Sequence, residues 1–482
     1  MHSSKMIHLL RSLDRKDLRR LENYIRHPYL VEVKQKQKIL QLFEWLRPHH
    51  PDYAHPDLEK TRTFAKLFPD ETFSVEKLNK IMTRLLQVLR SFIAHEYGNV
   101  DHKKREQLLL ESQYYQDRSL DTYFWQSIQQ LQQLQKKVEQ REKDFYYTEY
   151  LINRRISEFS SLYNQRKEDL NLLKTHRSLD VFYLVAKLEF ACWMLAQDSN
   201  HVPLKVQESL QTLEALLPLI ERDYEARIPI VALYAQLYRL LRQDRTAAAR
   251  NKLRELLDAH GHQLPFYQLI SIEAIYRSYC VRAYNLSEGI SIDYLFQLYR
   301  QHLERGYLFR RGGLQPGIIK NLVTFGLKVG DFEWVRQFLD DYRGRIVGTQ
   351  YPDEVYYYNL ANYHFARGHY DRVLDTLEWY SEDNYYKIAI KRLELKVYYE
   401  QFSPILESKM DAFKVYIFRL SKKALPIVHR EGNNHFINFL RQICNSGTRY
   451  NTKKIESIRG KMAATKALVE REWLLEKLAA LS

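Results

Sequence analysis

Two segments of this sequence have the composition of a chemical site. His49, His50 and His55 stand close enough together to share a metal ion. Residues 311–317 place glycines and positive charge before an expected helix, where the helix N-terminus favours a phosphate. The histidines lie in a proline-rich loop with no fourth ligand, and residues 311–317 have neither a GxxxxGK pattern nor a preceding strand. We therefore predict a solvated loop and an inter-helix linker.

Carboxylate pairs, which general acid–base catalysis uses, occur at Glu168–Asp169 and Asp340–Asp341. Adjacent residues on a helix point about 100° apart, so neither pair converges on a substrate. The cysteines Cys192, Cys280 and Cys444 are widely spaced and form no CxxC pair. The sequence therefore predicts a protein that is not an enzyme, with no metal, no cofactor and reduced core thiols.

A basic segment near the C-terminus has the residue types of a polyanion-binding surface. It combines phosphate-neutralising charge with one interleaved aromatic ring, a pattern typical of contacts to a nucleic-acid backbone. The candidate residues are Arg441, Arg449, Tyr450, Lys453, Lys454, Arg459 and Lys461. A basic run near a helix start is more commonly a solvated face. The alternative function is therefore a nucleic-acid-binding or regulatory protein that uses this segment and the basic N-terminal head.

The elements that position such residues are indicated by an internal repeat. Residues 322–342 and 360–380 correspond at seven positions with a constant offset of 38. Each copy has an apolar helical stripe, a glycine (Gly330 or Gly368), an aromatic residue two positions later and a second stripe. A glycine can end a helix with a positive φ, so each copy predicts two antiparallel helices. A third, degenerate copy follows at an offset of 34, with Phe402 where the glycine would stand.

The rest of the chain agrees with an all-α fold. Glycine (15 residues) and proline (13 residues) are scarce, so few positions demand turns. No apolar run approaches the length of a membrane span, and Arg11 interrupts the N-terminal apolar residues, so we predict neither a membrane span nor a secretory signal. The expected location is the cytoplasm.

Charge and helix lengths divide the chain into four predicted regions. The first 110 residues carry 21 Lys and Arg against 14 Asp and Glu, and residues 383–482 carry 19 against 10, whereas the middle is neutral. The tract 129–138 has barely two apolar heptads, which favours a helical hairpin over a coiled coil. The predicted regions are a basic helical N-terminal head (1–100), a long-helix hairpin region (101–200), helical repeats (201–425) and a basic C-terminal helical cap (426–482).

The repeat resembles the tetratricopeptide repeat through Leu360, Gly368, Tyr370 and Leu377. It departs from that pattern in its period and in Val373, where a smaller residue is usual. In tetratricopeptide arrays the concave face of each first helix contacts the ligand. Carried onto this chain, the resemblance implies a partner-binding groove formed by Lys320, Thr324, Tyr358, Asn362, Arg392 and Lys396.

A wider resemblance covers nearly the whole chain. It is similar to a family of tetratricopeptide-like helical-repeat proteins of Bacteroidota in segments 26–29, 66–69, 320–324, 330–334, 358–361 and 472–475. That resemblance implies one all-helical chain without a catalytic domain, and it implies no particular activity. The leading expectation is an α-solenoid of antiparallel helix pairs, a scaffold that binds protein partners through the groove. Its 36 tyrosines suit an interface, because Tyr buries area at little entropic cost.

Overall fold

A computed structural model describes most of the chain, and its helices account for the fold. The described residues are 4–27, 35–97, 100–163, 170–198, 206–242, 244–377, 383–421, 425–444 and 452–481. Within them the protein is all-α, with 23 α-helices and no β-strand. None of the helices in these ranges is long and apolar enough to cross a membrane. The chain divides into two compact units, residues 1–139 with 144–179 and residues 140–143 with 180–482.

The first unit begins with helices that share one core. Leu10, Leu21, Phe43 and Leu85 belong to this core and are fully buried. The helices of the unit are α1 (Lys5–Ser12), α2 (Arg15–Arg26), α3 (Lys36–Leu46), α4 (Lys60–Leu67), α5 (Val75–Tyr97), α6 (Val100–Asp117), α7 (Asp121–Lys136) and α8 (Lys143–Tyr163). The unit boundary falls inside α9 (Leu170–Asp198). The four-region division made from the sequence stays a prediction.

The second unit continues from α9 with helices that pack mostly against their chain neighbours. They are α10 (Val206–Asp223), α11 (Pro229–Arg242), α12 (Ala247–His260), α13 (Phe266–Asn285), α14 (Ile292–Glu304), α15 (Pro316–Val329), α16 (Phe332–Tyr342), α17 (Pro352–Ala366), α18 (Tyr370–Leu377), α19 (Asn384–Glu400), α20 (Leu406–Arg419), α21 (Ile427–Cys444), α22 (Thr452–Ala464) and α23 (Arg471–Ala479). Helix α15 also packs against α17, and α17 against α19, so the first helices of successive copies lie side by side.

The turns that follow α15, α17 and α19 each contain a residue with positive φ. Gly330 and Gly368 end α15 and α17 with φ values of 87° and 71°, which confirms the helix ends expected there. Phe402 occupies the same place after α19 with φ 50°, although its sequence lacks the glycine. In all three turns the next residue donates its amide to a carbonyl in the last helical turn, which satisfies groups that the helix end leaves open. The third copy therefore keeps the turn conformation.

Two helix predictions are wrong. The sequence predicts one helix over 121–145, but α7 ends at Lys136 and α8 begins at Lys143. The sequence also predicts one helix over 455–481, whereas the structure has α22 and α23 separated by residues 465–470. Apolar periodicity continues through both breaks, and periodicity alone does not mark a turn that distant residues stabilise.

A buried charged network joins α12, α13 and α14. Both carboxylate oxygens of Glu273 accept hydrogen bonds from Arg254 at 2.8 and 2.9 Å. The Nε2 atom of His302 lies 3.3 Å from Glu273, and Nδ1 accepts a hydrogen bond of 2.7 Å from Arg277. Because a guanidinium only donates, this bond requires an unprotonated Nδ1. The geometry therefore places a neutral imidazole in the core, with its side chain 0% exposed.

Candidate functional site

The first three predicted groove residues lie on α15 and α17. Lys320 donates a hydrogen bond of 2.8 Å from Nζ to the hydroxyl of Tyr385, and its Nζ lies 5.5 Å from the centre of that ring. Thr324 lies one turn further along α15 and is half-buried. Tyr358 is buried on α17, and its ring meets Tyr386 edge to face at 5.5 Å. Most of the Tyr358 side chain is therefore buried in packing contacts, and little of it is exposed.

Asn362 adds little to the surface, because its side-chain amide is hydrogen-bonded to the backbone of its own helix. The Nδ2 atom donates a hydrogen bond of 2.7 Å to the carbonyl of Tyr358, four residues earlier. Of the six positions, the remaining two, Arg392 and Lys396 on α19, carry the strongest interactions.

Arg392 and Lys396 both bind the carboxylate of Glu470. The Nε atom of Arg392 lies 3.2 Å from one carboxylate oxygen, and Nζ of Lys396 lies 2.8 Å from the other. Arg392 also donates a hydrogen bond of 3.1 Å to the side-chain carbonyl of Asn433 on α21. The two cationic side chains are only 13% and 11% exposed. The two cations at this end of the predicted groove are therefore occupied by an acidic residue of the same chain.

Glu470 reaches Arg392 and Lys396 from the turn between α22 and α23. The carbonyl of Ala467 lies 2.7 Å from Nδ1 of His435, and the amide of Val469 donates a hydrogen bond of 3.5 Å to the carbonyl of Gly432. A Cβ atom at Gly432 would lie 3.3 Å from Val469, so glycine permits this close approach. Glu470 itself has a φ of 55°, in the left-handed region. Contacts to α21 thus stabilise the turn.

Arg471 closes the same turn from its other side. Its guanidinium donates hydrogen bonds to three carbonyls at the end of α22, those of Met462, Ala463 and Thr465. The last carbonyls of a helix lack intrahelical partners, so the arginine adds donors to acceptors at the end of α22, where the carbonyl of Met462 also accepts from the amide of Thr465 at 3.3 Å. Arg471 therefore binds the end of α22, while its neighbour Glu470 binds Arg392 and Lys396.

The electrostatic environment of Glu470 strongly favours its charged form. Burial alone would raise the pKa of this carboxyl, but the charges of Lys396, Arg392 and Lys320 more than offset that effect. Together they lower its pKa from 4.5 to about 2. Three of the predicted groove cations therefore act on one carboxylate of the same chain.

Helix α23 continues along the same face after Glu470. Trp473 is buried, and its indole nitrogen donates a hydrogen bond of 3.0 Å to Glu400, which also pairs with Lys477 at 2.8 Å. The Nζ atom of Lys396 lies 5.4 Å from the centre of the Trp473 ring. A carboxylate followed three residues later by an aromatic ring is therefore the pattern that this face holds, and we call residues 470–473 the internal ligand.

Sequence reasoning missed Glu470 because it placed this residue inside a continuous helix. A weak signal was present in the charge pattern. The basic run from Lys453 to Lys466 gives way to Glu470 and Glu472, which is the sequence of charges expected if a segment turns back onto a basic face. The signal does not identify which basic face is contacted.

The predicted polyanion-binding residues are only partly in one place. Arg441 lies on α21 and is paired with Glu407 at 2.8 Å and Asp411 at 2.6 Å, so its charge is balanced locally. Arg449 and Tyr450 lie outside the described residues. The other four are exposed on α22, namely Lys453, Lys454, Arg459 and Lys461.

The histidine segment 49–55 and the glycine-rich segment 311–317 both make contacts within the chain. The rings of His49 and His55 stack at 4.8 Å, and no group of residues that could hold a metal ion occurs in the described part of the chain. The segment 311–317 is tied to 345–347, because the amide of Leu314 donates to the carbonyl of Arg345 at 2.8 Å. A Cβ at Gly313 would lie 2.3 Å from that carbonyl oxygen. The glycine serves this close approach between two linkers.

Comparison of this chain with protein-family models, curated proteins and solved structures gives no match.

Proposed function

We propose that this protein is a non-enzymatic, cytoplasmic helical-repeat scaffold that binds acidic segments of protein partners through the face formed by α15, α17 and α19. In this proposal it is a tetratricopeptide-like α-solenoid of the Bacteroidota family that its sequence resembles. The observation that carries the proposal is the carboxylate of Glu470 held between Arg392 and Lys396. A face that binds one acidic segment of its own chain has the chemistry to bind another.

The solenoid assignment has two supports. Three successive turns, at Gly330, Gly368 and Phe402, share a left-handed residue and the same pattern of hydrogen bonds. The first helices of these copies pack side by side, as neighbouring repeats of a solenoid do. Stacking of this kind gives a continuous surface on which charges from several helices act together.

The partner segment in this proposal resembles the internal ligand. It carries a Glu or Asp that reaches Arg392 and Lys396, and an aromatic residue three positions later that takes the place of Trp473. Such a segment competes with residues 470–473, so binding is weakest when the internal ligand is seated. The competition sets an affinity threshold, because a ligand must offset the contacts that it displaces.

A labelled peptide with the sequence of residues 466–481 tests this function. We expect the full-length Glu470→Gln variant to bind the peptide at least about tenfold more tightly than the unmodified protein does, because the internal ligand of the variant lacks the competing charge. A tenfold gain corresponds to about 1.4 kcal/mol. Adding Arg392→Gln to that variant should remove the gain, and so should a glutamine at position 470 of the peptide. The matched control is Lys414→Gln, which neutralises an exposed lysine on α20. Equal anisotropy curves for all these proteins would reject the groove.

Nucleic-acid binding is the second candidate, favoured by the exposed basic residues of α22. Lys453, Lys454, Arg459 and Lys461 are all exposed and lie within three helical turns. We expect binding whose logarithm falls linearly with the logarithm of salt concentration, with a smaller slope after Lys453→Ala and Lys454→Ala. An absence of binding to single-stranded and duplex probes at low salt would exclude this candidate.

A further inference from the structure

A cavity formed by three consecutive helices has the chemistry of an anion site and lies apart from the residues that hold Glu470. Its volume is about 480 Å³. Helix α16 contributes one lining residue, α17 two and α18 three. They are Arg336, Tyr363, His364, Arg372, Asp375 and Thr376. Two guanidinium groups and an imidazole therefore line one concave space, to which the described residues contribute a single carboxylate.

The imidazole of His364 is the clearest sign that the cavity takes a ligand. Its Nδ1 atom is buried and has no hydrogen-bond partner among the described residues. Burial lowers the pKa of His364, and the positive charges of Arg372, Arg336 and His369 lower it further. A buried polar atom without a partner is unfavourable, so a ligand oxygen that accepts a hydrogen bond from this ring would remove that cost.

The acidic residues around the cavity leave its cations available. Arg336 pairs with Asp340 at 3.0 Å, but these side chains are 41% and 45% exposed, and an exposed pair of this kind is weak. Arg372 is exposed at the cavity, and Asp375 lies three residues further along α18. The hydroxyl of Thr376 donates to the backbone carbonyl of Arg372 at 2.6 Å, so it offers a ligand only its lone pairs.

We propose that this cavity binds the phosphate group of a small phosphate monoester. Two arginine forks and one imidazole match the oxygens of a phosphate, which accepts bidentate hydrogen bonds from guanidinium and carries nearly two negative charges at neutral pH. The volume exceeds that of one phosphate ion and lies within the usual range for small-molecule sites. Tyr363 supplies an aromatic wall for the organic part of the ligand.

Calorimetry with the full-length protein at low salt tests the site, using phenyl phosphate, inorganic phosphate and benzoate as probes. Phenyl phosphate should bind most tightly, inorganic phosphate more weakly and benzoate at least about tenfold more weakly than phenyl phosphate. Arg336→Gln and Arg372→Gln should each weaken phenyl phosphate binding at least about tenfold, since each removes a charge-assisted hydrogen bond. Asp340→Asn and Asp375→Asn should each strengthen it.

The control variant is Arg305→Gln, which removes an exposed arginine at the end of α14. Hydrogen–deuterium exchange at the imidazole carbon gives a second measurement that reports on His364 itself. Phenyl phosphate should raise the pKa of His364 in the unmodified protein, and the same rise in Arg372→Gln should require at least about tenfold more phenyl phosphate. Unaltered circular dichroism of each variant shows that it is folded.

Three results would overturn the proposal. One is an absence of phenyl phosphate binding at millimolar concentration, and another is the same affinity in Arg336→Gln, Arg372→Gln and Arg305→Gln. The third is benzoate binding as tightly as phenyl phosphate, which would reject phosphate as the recognised group. None of these outcomes depends on the proposed binding of acidic segments, because the variants leave Arg392, Lys396 and Glu470 unchanged.

Discussion

Replacing Glu470 by glutamine removes the charge that Arg392 and Lys396 share and retains the shape of the side chain. A carboxyl whose pKa falls from 4.5 to about 2 on folding contributes about 3 kcal/mol at pH 7, at 1.36 kcal/mol per pKa unit. The Glu470 side chain is 26% exposed, so solvent screening makes this an upper value. We expect Glu470→Gln to destabilise the seating of α23 by about 2–3 kcal/mol at pH 7.

The pH dependence of this loss has a definite sign. Because the pKa of Glu470 is lowered in the folded protein, its contribution is fully present above pH 4.5 and is lost as the pH falls toward 2. From the same two pKa values we expect about 2.5 kcal/mol at pH 4 and about 1.5 kcal/mol at pH 3. The difference between the variant and the unmodified protein should therefore shrink in acid.

Amide hydrogen exchange of the peptide covering α23 measures this effect locally and does not require two-state unfolding of the whole chain. A loss of 2–3 kcal/mol lowers the protection of α23 by about 30- to 150-fold at pH 7. The matched control is Glu476→Gln, since Glu476 lies on the same helix and is 70% exposed. If Glu470→Gln and Glu476→Gln change protection equally, or if the effect is the same at pH 7 and pH 3, the reasoning about the buried carboxylate is refuted.

Three further predictions concern the packing of the second unit. Gly326→Ala should lower the free energy of unfolding by about 1 kcal/mol. The added methyl would lie 2.5 Å from Val335, and this overpacking outweighs the gain in helix propensity. An unchanged urea midpoint would contradict this prediction. His302→Gln should flatten the loss of stability below pH 6.5. Burial lowers the pKa of His302, so the folded state favours the neutral ring, and this contribution to stability is present above pH 6.5 and is lost as the pH falls below it. Parallel pH profiles of the urea midpoint would exclude this role. Phe402→Gly should raise the melting temperature. Phe402 is 92% exposed and holds a left-handed conformation, which costs a residue with a Cβ atom about 1–2 kcal/mol. A lower melting temperature would refute this prediction.

Local rules predicted much of the helical framework from the sequence. Asp14 caps α2 with a capping box, and Ser74 accepts a hydrogen bond from an amide in the first turn of α5, as expected of helix N-termini. Gly330 and Gly368 end their helices with positive φ. Each of these features depends on residues within one or two helical turns, so a sequence pattern specifies it fully.

The remaining features depend on residues far apart in the chain. Phe402 holds a positive φ, although its own residue type disfavours that conformation. The break before α23 exists because Arg471 and His435 bind carbonyl groups of residues 462–467. No periodicity within the segment encodes those contacts. The predicted groove included the two cations that contact Glu470 but not Glu470 itself, since this partner of Arg392 lies 78 residues away.

That separation has a consequence during synthesis. Lys396 is translated 74 residues before Glu470, and at about 5–20 residues per second the ribosome needs roughly 4–15 s to cover that interval. Helical pairs form in far less time, so α19 folds against its neighbours while its two cations still lack their carboxylate. The nascent chain therefore presents an open basic face for several seconds, and the last helices cover it only when they emerge.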